Sequence, residues 1–150
     1  YIETYGKIRA TQRGNEIVNP GANMSERGAS MTFRLSGQIP SGKNAVVVTR
    51  TGLRFPAKRF KVWREQALDQ LSKQGAGQQA PIGQTVSLEC EYTPGDRRTR
   101  DVPGMLDALL HVIVKAGLLV DDGLVWAVTW RRNEMDRENP GLKFHISVTA

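Results

Sequence analysis

Met31, Phe33 and Leu35 alternate with Thr32, Arg34 and Ser36, the period-two pattern of a strand with one buried face. Pro40-Ser41-Gly42 ends that run. Ala45 to Arg50 is β-branched, Thr51-Gly52 is a turn signal, and Leu53 to Phe55 pairs back, which together predict a short hairpin. Beyond Pro56 the period changes. Phe60, Trp63, Ala67, Leu68 and Leu71 recur at the spacing of one face of an amphipathic helix, closed by Gly75-Ala76-Gly77. Lys58, Arg59, Lys61 and Arg64 crowd its first half.

Val86, Leu88 and Cys90 then alternate with Ser87, Glu89 and Glu91, so Thr85 to Tyr92 is expected to be a strand with one wet face and Cys90 a core thiol. Pro94-Gly95 turns the chain. A second helix is expected over Pro103 to Ala116, with proline in its first turn and Gly117 beyond its end. Leu124, Trp126, Val128 and Trp130 read as a strand. Apolar Val125 and Ala127 on the other parity predict that it is central and covered on both sides. Phe144, Ile146 and Val148 mark the last strand. Strands flanking two main helices make an α+β domain with a mixed β-sheet.

Residues 1–30 show no useful periodicity and are expected to form an irregular N-terminal leader, leaving 31–150 as the folded domain. A chain of 150 residues suffices for one core without disulfides. Its one cysteine, and a beginning without the charged-then-apolar pattern of a secretory signal, make a reducing cytoplasm the expected compartment. No apolar run approaches the ~18 residues a membrane span requires. Lys43, Arg50, Arg54, Lys58, Arg59, Lys61 and Arg64 fall within residues 41–64 without one Asp or Glu. Such a segment is either a phosphate-binding footprint or a solvated basic face.

Gly37 to Asn44 nearly matches the phosphate-cradling G-x-x-x-x-G-K-[ST] pattern. Asn44 lacks the hydroxyl that binds magnesium, and a strand follows where a helix is required. His111 and His145 have no partner at zinc-ligand spacing apart from Asp107, and read as helix-surface or core-edge residues. No serine sits in a G-x-S-x-G elbow. What remains is acidic: Asp101 at the start of the second helix, Asp107 within it, and Asp121-Asp122 just past its end, beside Arg97, Arg98 and Arg100. Clustered carboxylates suit magnesium or manganese, and two such ions about 4 Å apart can activate water in phosphodiester hydrolysis. The same residues also make sense as a helix cap, a solvated side chain and a polar turn.

Asp96-Arg-Arg-Thr-Arg-Asp101, the helix ending Lys115-Ala-Gly117, and Val120-Asp121-Asp122 together resemble the RusA family of Holliday junction resolvases. The family pattern is a basic run, Asp-x-Asp-Asn, a helix, Ala-Gly and Asp-Asp. Ile39-Pro40-Ser41-Gly42-Lys43-Asn44 is similar to the family's early Pro-Pro-Ser-x-Asn segment, and the resemblance spans about residues 31–150. It implies a RusA-like fold and a homodimeric, magnesium-dependent endonuclease that nicks four-way DNA junctions symmetrically. Asp101 and Asp122 match two metal-binding aspartates. Pro103 and Gly104 stand where the motif carries its second aspartate and asparagine. Asp107, one helical turn beyond Pro103 where the family more often has lysine, is inferred to replace the missing carboxylate, with Asp121 as a reserve ligand. Lys43, Asn44, Arg54, Lys58, Arg59, Lys61, Arg97, Arg98 and Arg100 are the expected DNA contacts. A non-catalytic DNA-binding module that has lost its metal is the alternative, and a nuclease for flaps or single strands a third reading.

Overall fold

The computed structural model describes residues 30–41, 46–56 and 58–149. The expected leader lies outside these residues apart from Ser30, as do Lys43 and Asn44. The described elements are β1 (Ser30–Ser36), β2 (Val46–Val48), β3 (Arg54–Pro56), α1 (Lys58–Lys73), β4 (Val86–Thr93), α2 (Val102–Lys115), a 3-10 turn (Asp122–Leu124), β5 (Val125–Arg132) and β6 (Gly141–Val148). The fold is α+β, as the pattern predicts. No described helix is long and apolar enough to cross a membrane.

The main sheet runs β1-β6-β4-β5, and β2 and β3 form a separate antiparallel pair. Its first two pairings are antiparallel, whereas β4 and β5 are parallel. A parallel pair needs a crossover connection, and α2 supplies it. In register across the sheet, Phe33 faces Phe144, Phe144 faces Cys90 and Cys90 faces Trp130. This face meets the apolar stripes of the helices, namely Phe60, Trp63, Ala67 and Leu71 of α1 and Met105, Ala108, Leu109, Val112 and Ile113 of α2. The Phe33 and Phe144 rings stack at 5.5 Å. Cys90 is fully buried, and burial, with the charge of Glu89 second, pushes its thiol far above the ordinary range; it stays protonated and unreactive.

Two strand expectations are corrected. β4 has no wet face over most of its length: Ser87 and Glu89 are 1% and 5% exposed. The polar parity does mark the second face of the sheet, but that face too is out of water here: Ser147, opposite Ser87, and Thr129, opposite Glu89, are likewise buried. Among the described residues β5 is an edge strand rather than a central one, paired with β4 alone. Its doubled apolar parity comes from a register shift. Val125 pairs with Val86 and Ala127 with Ser87, leaving Trp126 as an extra residue.

Candidate nucleic-acid and carboxylate site

Local sequence fixes both ends of α2. Asp101 is the N-cap: its backbone is extended, and its carboxylate accepts from the Gly104 N–H at 3.2 Å. Pro103 falls in the first turn, where its missing N–H leaves no intrahelical bond unmade. At the other end the Leu118 N–H donates to Ile113 and the Gly117 N–H to Val114, with Gly117 at φ 79°. That Schellman arrangement requires a left-handed residue, and glycine takes it without strain. The chain is then pinned against Ile82, whose N–H donates to Leu118 while its carbonyl accepts from Val120. The Asp121-Asp122 turn follows directly, with the Asp121 carboxylate accepting from the Gly123 N–H at 3.4 Å.

Asp121 and Asp122 are exposed and line an open groove of about 390 Å³ with Leu110, His111, Val114 and Lys115. His111 and Lys115 bring an imidazole ring and a cation to this groove, although neither belongs to a recognisable ligand motif in the sequence. Their one-turn spacing was the available signal. The start of α1 approaches the same place: the Phe60 ring lies 5.6 Å from that of His111, and the Arg64 guanidinium stands 5.9 Å from the Phe60 centroid. Lys58, Arg59 and Lys61 are exposed on that half of α1. The Arg54 side chain lies outside the described residues.

The basic run before Asp101 is internally organised. Arg100 donates to both oxygens of Asp96, at 2.6 and 2.9 Å, and the Arg98 N–H donates to the same carboxylate at 2.9 Å. The Arg100 side-chain bond, with the Arg98 N–H second, holds the Asp96 carboxyl well below the usual carboxylate range. A carboxylate depressed in this way contributes above its unfolded value and loses its effect only as pH falls through the folded one, so the tie persists throughout neutral and mildly acidic conditions. Arg97 and Arg98 are exposed, whereas the Arg100 side chain is only 14% exposed.

The acids are not gathered in one place. Asp101 precedes a 14-residue helix and Asp121-Asp122 follow it. At 1.5 Å per residue the helix rises roughly 20 Å, and the Asp121-Asp122 turn folds back beside Leu110, His111, Val114 and Lys115 in its second half. Asp107 is half-buried partway along. Among the described residues no group of three His, Cys, Asp or Glu side chains is placed to hold a metal ion. Within one protomer the described acids expected from both ends of this helix are therefore not gathered into such a group.

The chain is similar to a crossover junction endodeoxyribonuclease. It is 29% identical over 101 residues to crossover junction endodeoxyribonuclease RusA of Aquifex aeolicus (strain VF5), across 67% of this chain and 79% of that protein. No family model matches the sequence.

Proposed function

We propose that this protein is a structure-specific endodeoxyribonuclease for four-way DNA junctions, acting as a homodimer in which each active site draws on two protomers. The similarity to a protein of that name supports the activity. The observation that carries the dimeric site is the placement of acids at opposite ends of α2. An isologous pair of antiparallel α2 helices brings Asp101 of one protomer toward Asp121-Asp122 of its partner, and does so twice. Between the acidic ends, Val102, Leu106, Leu110 and Val114 recur every four residues; Val102 is 38% exposed and the other three are half-buried. Such a stripe suits helix-on-helix packing between copies. Carboxylates with water are the donor set of magnesium or manganese, so Asp101 and Asp107 with the partner's Asp122, and Asp121 in reserve, are the residues that would hold such an ion. That ion would supply activation of water and stabilisation of the leaving oxygen.

The protein's own cations grip the substrate. Lys58, Arg59 and Lys61 on α1 and Arg97 and Arg98 before α2 contact backbone phosphates, with Lys43, Asn44 and Arg54 extending the surface. Arg100 shapes the loop through Asp96 instead of meeting DNA. Arg97→Ala and Arg98→Ala each lower the slope of log affinity against log salt by about 0.9, whereas Arg100→Ala leaves the slope unchanged because its charge is already compensated. Fluorescence titrations across a salt series measure this.

The deciding experiment incubates the full chain with labelled four-way junction, duplex and single strand, with magnesium and with chelator. Paired symmetric nicks in the junction alone, abolished by chelator while binding persists, are expected. Tight junction binding without cleavage in magnesium or manganese would establish the non-catalytic module instead. Cleavage of flaps or single strands at the same rate as junctions would establish the general nuclease.

A further inference from the structure

Trp126 is 75% exposed, the largest exposure among the bulky apolar side chains of the described residues. An indole in water is unexpected on a strand whose neighbours Val125, Val128 and Trp130 pack against the core. The cause is the register shift between β4 and β5. Val125 and Ala127 pair with consecutive residues of β4, so Trp126 has no partner across the ladder. A bulge of this kind bends an edge strand and re-aims the side chain of its extra residue. Here it interrupts the side-chain alternation and leaves the indole in solvent.

The place matters as much as the exposure. Trp126 follows Asp122 by four residues, so its Cα lies within about 14 Å of that residue along the chain. Asp122 belongs to the acidic turn beside the groove of His111 and Lys115. A nucleotide whose phosphate is held by Lys115 beside this turn therefore has adjacent bases within reach of the indole. Duplex DNA hides the faces of its bases in the stack, and a branch point exposes some of them. A flat, rigid aromatic surface accepts any base face, because every base has a π-face to stack.

We infer that Trp126 is a specificity-determining residue that stacks on an exposed base at the branch point and thereby favours junctions over duplex. This rests on the junction-nuclease reading above. The test measures binding in chelator, which removes the need for cleavage, using fluorescent four-way junction and duplex of the same arm sequence. Trp126→Ala lowers junction affinity roughly 5- to 100-fold, the range one base–aromatic stack carries, leaves duplex affinity unchanged, and Trp126→Phe restores most of the loss. Junction binding also quenches the indole fluorescence of the native chain, and this quenching is smaller in Trp126→Phe.

Equal losses on junction and duplex, or none, with a junction-selective native chain overturn the assignment of Trp126 alone. Conversion of Trp126→Ala to a monomer, seen by light scattering, overturns it in favour of a contact between copies. A native chain that binds junction and duplex equally overturns the junction reading itself, and the role of Trp126 with it.

Discussion

An equal mixture of Asp101→Asn and Asp122→Asn chains nicks four-way junctions, although neither variant cleaves alone. Each substitution removes a carboxylate from both sites of its own homodimer and lowers cleavage roughly 100- to 1000-fold, in line with the several kcal/mol that metal-centred charge stabilisation supplies. In a mixed dimer, one site inherits both substitutions and the other inherits none. Random assortment makes half of the dimers mixed, so about a quarter of native nicking activity returns. The products are single nicks, because the second site is dead. Sites built within one chain would not complement at all. Asparagine caps a helix about as well as aspartate, so Asp101→Asn leaves α2 and the thermal midpoint intact. Inactivity of the mixture, with subunit exchange demonstrated, would reject the shared site. Asp107→Asn, inactive alone, complements Asp122→Asn but not Asp101→Asn, since Asp101 and Asp107 serve the same site.

Phe144→Ala lowers the stability of the fold by about 3–5 kcal/mol, the cost of removing a fully buried aromatic ring from a core that relaxes only in part. Phe144 is fully buried in β6, facing Phe33 on one side and Cys90 on the other, beneath the two helices. Its loss leaves a cavity in the layer that joins three strands. For a domain of this size the thermal midpoint falls by roughly 6–20 °C. Phe144→Leu refills most of the space and costs about 1.5 kcal/mol. Urea unfolding of both variants measures the difference. A loss below about 1 kcal/mol for the alanine variant would mean that this layer closes around the gap.

The strand and helix periods of β1, α1, α2 and β6 were legible because each buries one face against the same core, and that demand is written as local alternation. Pro103 and Gly117 likewise marked the ends of α2, since their backbone constraints operate within a few residues. The environment of β4 was misread. Ser87 and Glu89 look solvent-facing by pattern, yet the second face of the sheet is out of water there, with Ser147 and Thr129 buried opposite them. For β5, the apolar residues on both parities came from one inserted residue, which leaves no mark distinct from a doubly covered strand.

The candidate site divides in the same way. Sequence alone determined the inventory: the acids before, within and after α2, the arginines upstream, and the cations of α1, together with the helix between them. Only the tertiary structure decided which of these are neighbours. It tied Arg100 to Asp96, set Asp121-Asp122 beside His111 and Lys115 in the second half of α2 while Asp101 caps its start, and turned Trp126 into solvent. The physical reason is range. Periods, caps and turns act over one or two helical turns, whereas the distance between groups at opposite ends of a rigid rod is set by the rod and by whatever packs beside it.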